Sequence, residues 1–238
     1  GEVVTITGMG FTDTCTIGSN TCAATILAAD LQGLSSGTTY TITVNVDDTA
    51  GNAATADTGD TFIYDNVAPT STTAVLSVNG DGNGNDGDVV TMTLNPSETV
   101  GTPTCTFTDT SGAMADTSVT YATVSETDHH TAAVTIDNSD ADGAVGFSCT
   151  YTDSAGNAIA SAITSASSGS VTIDNTHPSI SSVAASWGAY LNAAEDNSDG
   201  TIVVVTSGAE DDEVVTITGM GFTDTCTIGS NTCAATIL

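Results

Sequence analysis

Residues 39–54 read TYTITVNVDDTAGNAA, and residues 144–159 read AVGFSCTYTDSAGNAI. In each stretch the first half alternates between apolar and polar residues, the period of an extended chain with one buried face. The second half is an Asp-x-Ala-Gly-Asn turn, in which Gly and Asn suit the sharp backbone and Asp accepts from nearby amides. Both runs are expected to be penultimate strands, central in a sheet. Their inward residues would be Tyr40, Ile42 and Val44 in the first and Phe147, Cys149 and Tyr151 in the second.

The same alternation, bounded by Gly, Asn, Asp and Pro, predicts seven strands around the second run. They lie near Ser71–Val78, Val89–Leu94, Pro103–Thr108, Val119–Val124, Ala132–Ile136, Val145–Thr152 and Ser170–Ile173. Seven short strands in about a hundred residues are the pattern of an immunoglobulin-like sandwich. Composition agrees: 23 of the 29 acids are Asp, a turn residue, and only 6 are Glu, a helix former. The expected class is all-β, with tandem immunoglobulin-like β-sandwiches.

Residues 2–27 read EVVTITGMGFTDTCTIGSNTCAATIL, and residues 213–238 repeat them without a change, an offset of 211. A repeat of this kind sets the architecture. A weaker repeat lies within the period: VNVDDTAGNAA at 44–54 matches CTYTDSAGNAI at 149–159, IYDNVAPT at 63–70 matches TIDNTHPS at 172–179, and 2–17 resembles 88–107. Each period is therefore expected to hold two domain types. Pro69 and Pro178 bias the preceding residue to extended backbone and mark the boundaries. This divides the chain into 1–67 (the later part of a second-type domain), 68–176 (one whole first-type domain) and 177–238 (the earlier part of the second type). The chain begins with Gly1 and carries no secretion signal, which suggests a window of a longer tandem array. The alternative is a filament subunit that completes a neighbour's sheet by donor-strand complementation.

The chain of 238 residues has no Lys or Arg, giving a formal charge of −29. Nothing in it can neutralise phosphates, so nucleic acid and anionic membrane surfaces are unsuitable partners. No window of about 20 apolar residues is present to insert in a membrane. Hydrophobic residues make up 39% of the chain, enough for a core, so folding rather than disorder is expected.

The order of strand, Asp-x-Ala-Gly-Asn, final strand, Asp-Asn-x-x-Pro and next domain recurs along the chain. With LNAAED at 191–196 and DDEVVTI at 211–217, it resembles the bacterial immunoglobulin-like repeats of giant cell-surface adhesins and biofilm-associated proteins. The resemblance implies an extracellular stalk, fibre or adhesin with calcium between or within domains. The missing cations and the paired cysteines depart from the commoner members.

Six cysteines fall at 15, 22, 105, 149, 226 and 233. Cys15 with Cys22, and Cys226 with Cys233, are close enough to bridge a hairpin. Cys105 and Cys149 fall on two predicted strands, and an inter-strand bridge through the core is expected there, worth about 3–4 kcal/mol by loop closure. An even count in every unit points to an oxidising, extracellular compartment. No CxxC spacing is present, and the histidines do not fall at zinc-site distances from the cysteines.

Calcium takes six to eight oxygen ligands at flexible geometry. The densest source is NGDGNGNDGD, residues 79–88, with Asp81, Asn83, Asn85, Asp86 and Asp88 in a Gly-rich segment. It is not an EF-hand, because Met92 stands where the bidentate Glu belongs. The competing reading is a solvated Asn-Gly and Asp-Gly turn. A second set would stiffen the domain boundaries: Asp65, Asn66, Asp174 and Asn175, joined by Asp47, Asp48 and Asp153 of the Ala-Gly-Asn turns. Hinge and turn chemistry is the plainer role for these. The acids at 195–200 and 210–213 read as solvated faces.

No G-x-S-x-G, HExxH or phosphate loop occurs, so no enzymatic activity is expected and no catalytic residue is assigned. His129 and His130 read as an exposed loop. Trp187 and Tyr190 suit either a sugar platform or core packing, with packing preferred. The expected function is structural, in a fibre or adhesin stalk whose partners are further copies of itself. The alternatives are a binding module for a glycan, ice or a surface receptor, with avidity from repetition, and an acidic surface-layer subunit.

Overall fold

Strict alternation in this chain is matched by strands throughout: in the computed structural model the only α-helix among the described residues is α1 (Ala28–Gln32). The structure describes residues 1–238 apart from 56, 81, 125–128, 195–196, 220 and 238, and apart from the side chains of 58 and 60. Asp81, Glu195 and Asp196, all part of the acidic stretches above, lie outside the described residues.

The first unit is one antiparallel sheet in the order β2-β1-β3-β4. It comprises β1 (Val3–Gly8), β2 (Phe11–Thr16), β3 (Thr38–Val46) and β4 (Asp57–Tyr64). β1 and β2 form a two-residue hairpin in which Met9 and Gly10 both have positive φ, 54° and 83°. That turn matches the twist of the paired strands.

The central unit contains β5 (Ser71–Ser77), β6 (Asn83–Gly84), β7 (Val89–Pro96), β8 (Thr104–Thr108) and β9 (Thr120–Thr123), followed by β10 (His130–Thr135), β11 (Gly143–Ala144), β12 (Gly146–Thr150) and β13 (Thr172–Ile173). One sheet runs β5-β7-β10-β9 and the other pairs β8 with β12. This is the A-B-E-D order opposite C-F, the immunoglobulin-like arrangement. Residues 158–163 meet β12 and the turn after it through the bridges Thr152↔Ala158 and Cys149↔Ile163, the place of a seventh strand. The expected final strand at 170–173 appears instead as β13, in a small sheet with β11 and β6.

Alternation in β7 places Val90, Met92 and Leu94 wholly inside, where they join Leu76, Phe107 and Phe147 in one core. Full burial of such a side chain contributes about 1.5–3 kcal/mol. The seven expected strands are thus present: β5, β7, β8, β10 and β12 each bury residues in this core, whereas β9 is exposed along its length.

The third unit contains β14 (Ser179–Ala185), β15 (Gly200–Ser207), β16 (Val214–Gly219), β17 (Phe222–Thr227) and β18 (Thr232–Ile237). One sheet runs β14-β15-β18, and β16 pairs with β17 in a hairpin. Ile202, Val204, Cys226, Ile228, Cys233 and Ala235 form the core between them.

Three details differ from the sequence reading. The resemblance of 2–17 to 88–107 does not extend to strand neighbours: β7 lies between β5 and β10, whereas β1 lies between β2 and β3, and β15 holds the place of β7. A Val-Val-Thr-x-Thr run fits any pleated, half-buried surface, so it carries no information on partners. Tyr40, Ile42 and Val44 are half-buried, while Phe147, Cys149 and Tyr151 are buried as expected. Cys105 and Cys149 form the expected inter-strand bridge, between adjacent strands of one sheet with both residues buried in the core. His130 is buried at the start of β10, opposite Leu94, because strand pairing begins one residue beyond His129.

All three expected disulfides form: Cys15–Cys22, Cys105–Cys149 and Cys226–Cys233. None of the cysteines is free. No helix among the described residues is long and apolar enough to cross a membrane.

Candidate metal centre

The Asp-x-Ala-Gly-Asn turn uses its Asp to hold its own backbone. Asp153 accepts from the amides of Ala155 and Asn157 at 2.8 and 2.9 Å and from Asn157 Nδ2 at 2.8 Å. Asp48 does the same with the Ala50 and Asn52 amides at 2.9 and 2.8 Å and with Asn52 Nδ2 at 2.8 Å. In both turns these donors hold the carboxyl below its ordinary value, the Asn side chain contributing most.

The two turns differ in what surrounds them. Asp153 meets Asp65, from the segment after β4, and Glu98, from the loop between β7 and β8. Carboxylate oxygens of the three lie within 4.8 Å of one another. Asp65 is oriented by Ser36 Oγ and by the Val67 amide, each donating to its Oδ1 at 3.0 Å. The Asn66 amide donates to the same Ser36 hydroxyl at 3.2 Å.

The loop carrying Glu98 is pinned on both sides. The Ser97 amide donates to the Thr70 carbonyl at 2.8 Å, and the Thr70 amide donates to Ser97 Oγ at 3.0 Å. Beyond Glu98, Val100 bridges to Asp153 and the Gly101 amide donates to the Thr152 carbonyl at 2.8 Å. Asn157 Nδ2 also donates to the Asp65 main-chain carbonyl at 3.2 Å, tying the segment after β4 to the central sandwich.

Electrostatically the three acids are unequal. Burial, then the charges of Asp65 and Asp153, push the Glu98 carboxyl above its ordinary value. The chain has no Lys or Arg to offset that repulsion. An all-oxygen donor set drawn from three segments suits a hard divalent cation such as calcium, and lacks the sulfur and imidazole ligands zinc prefers.

The other sequence-selected residues are distributed more widely. Asn83, Asn85 and Asp88 line one polar groove of about 340 Å³ together with Asp174. Asp88 accepts from Asn79 Nδ2 and, at 3.0 Å, from the Asn85 amide, while Asp86 accepts from the Asn138 amide at 2.9 Å. Asp47 lines a separate groove beside Asn45. Asp174 accepts from the Thr176 amide at 3.0 Å, and the Asn175 amide donates to Asp142 at 2.6 Å. Asn175 Nδ2 donates to the carbonyls of Asp137 and Asp140, each at 3.0 Å, so this boundary segment is clamped to the central unit by its side chains.

Sequence reading therefore selected Asp65 and Asp153 and missed Glu98. Its only local signal is a Glu two residues past the end of β7, and proximity to Asp153 arises from sandwich closure. Trp187 packs against the third unit's core and over Gly200, whereas Tyr190 is exposed.

No family model matches the chain, and no similar protein is found among curated sequences. Among solved structures it is similar to a part of a 1.5-MDa bacterial ice-binding adhesin studied for host cell surface retention. The identity is 19% over 99% of this chain and 74% of that one, with a TM-score of 0.43. It is also similar to the titin domains Z1Z2 solved in complex with telethonin, at 11% identity over 73% of this chain and 83% of that one, with a TM-score of 0.29.

Proposed function

We propose that this chain is a structural, non-catalytic extracellular protein, a portion of a tandem-repeat fibre or adhesin stalk. The observation that carries the reading is the 26-residue identity between 2–27 and 213–238: both copies form the same hairpin, and in both the same disulfide ties its second strand to the segment that follows. A unit that recurs without change and carries its own covalent staple suits serial repetition. Three disulfides in 238 residues support an oxidising compartment outside the cell.

The junction acids supply the second half of the reading. A calcium ion held by Asp65, Glu98 and Asp153 would link the segment after β4 to two loops of the central sandwich and relieve their repulsion. It would resist bending where the backbone passes from the first unit to the central one. Side chains already hold that passage, through Asn157 and Ser36.

Electron microscopy of the native object tests the reading. A string of beads with two beads for each 211-residue period supports it. An isolated globular particle, or a location inside the cell, overturns it.

A further inference from the structure

The two copies of the 26-residue sequence have different neighbours. In the first unit, β1 pairs on one side with β2 and on the other with β3, matching Val4↔Val46, Thr5↔Asn45, Ile6↔Val44 and Thr7↔Thr43. In the third unit the identical strand β16 pairs, among the described residues, with β17 alone. The residues of β18, identical to 21–26, form a strand against β15, whereas 21–26 themselves form no strand. One copy therefore shows the partners on one side of a sandwich and the other copy shows those opposite.

Each unit also leaves bare the face that the other would cover. In β14, Val183 stands opposite Val204 of β15, and paired residues share a face of the sheet. Val204 is 1% exposed but Val183 is 61% exposed, and Ile180, opposite the buried Thr206, is 63% exposed. The corresponding first strand of the central sandwich, β5, buries Ala74 and Leu76. A groove of about 460 Å³ opens between Ser179 and Ile180 of β14 and Val214 and Val215 of β16. In the first unit, Tyr40, Ile42, Val44 and Phe62 are only half-buried on one face of β3 and β4.

We propose that this groove and the free edge of β16 receive the segment Thr38–Tyr64 of a second copy of this chain. The pairing continues an interface already formed within the chain, moved by 211 residues: Val215 with Val46, Thr216 with Asn45, Ile217 with Val44, and Thr218 with Thr43 of the second copy. The resulting sandwich carries β14-β15-β18 on one side and β17-β16-β3-β4 on the other. This is the order that the central unit shows around β7 and β12.

Exchange costs no strand pairing, because β16 offers β3 the same residues that β1 does. The gain is the cover of Ile180 and Val183 on one side and of Tyr40, Ile42 and Phe62 on the other. Glu210 and Glu213 line the groove, and Asp57 lies on the incoming β4, so association strengthens with ionic strength. The inference rests on the repeat reading: in a continuous array the same segment would come 211 residues further along, and for the 238-residue chain by itself a second copy supplies it, so the test below reads the pairing and not the stalk.

The test is the 238-residue chain carrying Thr216→Cys and Asn45→Cys, mildly oxidised and run without reductant, beside a chain carrying Thr5→Cys and Asn45→Cys. Directly opposed strand residues are close enough for a disulfide. The expected result is a ladder in steps of 23.5 kDa for the first chain and an internally closed monomer for the second. Sedimentation of the unsubstituted chain is expected to show reversible, concentration-dependent association that rises with salt. A first chain that stays monomeric with two free thiols, or an unsubstituted chain that is monomeric at every concentration, overturns the proposal.

Discussion

Cys105 lies directly opposite Cys149 on the neighbouring strands β8 and β12, with Cα atoms 4.1 Å apart. Their disulfide staples two strands of one sheet at the centre of the core, where Cys149 is fully buried. Replacing both by Ala is expected to cost about 2–5 kcal/mol, most of it through the freed unfolded chain. Denaturant unfolding of the double variant measures this. Thiol titration of the native, unreduced protein is expected to find no reactive cysteine.

Glu98 is the acid whose charge the fold resists. With calcium at the junction, Tm is expected to rise by several degrees over sodium at equal ionic strength. Glu98→Gln should remove most of that increment, and should raise Tm in the presence of a chelator by relieving the repulsion from Asp65 and Asp153. Calorimetry of both proteins with and without calcium checks the pair of effects; an unchanged calcium increment in the variant would place the ion elsewhere.

Asp109 gives the chain an acid limit. The Ala141 amide at 2.7 Å, then the Ser111 hydroxyl at 2.8 Å, lower its carboxyl to about 2, with the amides of Ser111 and Gly112 adding to them. A folded-state value below the unfolded one means that the unfolded chain takes up the proton first. The contribution is therefore complete above the ordinary Asp range near 3.8 and is lost as pH falls from there through about 2. Asp116, Asp137 and Asp142 are lowered by similar donors and act in the same direction. Asp109→Asn is expected to lower Tm at neutral pH and to flatten its fall in this acid window.

Gly200 leaves room for an aromatic ring. A Cβ built there would run into the six-membered ring of Trp187. Gly200→Ala is expected to destabilise the third unit by about 1–3 kcal/mol through overpacking. Trp187 fluorescence should shift to the red on the same substitution. An unshifted spectrum would mean that the ring is already free in solution.

Much of the fold was legible because its signals are local. Period-two alternation located seven of the central unit's nine described strands, leaving out the two-residue β6 and β11 and the bridged segment 158–163, and the Asp-x-Ala-Gly-Asn turns behaved as turns, with Asp48 and Asp153 bonding their own loops alike. The site was legible only in part. Asp65 and Asp153 stand beside recognisable boundary and turn motifs, whereas Glu98 belongs to no motif and reaches them through the packing of loops over 50 residues apart in the chain from Asp153. His130 was misread because a strand's first paired residue depends on its partner, not on its own neighbours.

By itself the sequence determined the all-β class, the pairing of the cysteines within each unit, and a −29 charge that trypsin, which needs Lys or Arg, cannot cut into. These follow from residue type and spacing. Tertiary structure alone decided which strand each edge meets. The same 26 residues border β3 in one place and an open groove in the other, with Cys15 half-exposed and Cys226 buried. Alternation specifies that a strand has a buried face; what covers that face, and which edge is left free to take a partner, is a non-local matter that identical sequences cannot distinguish.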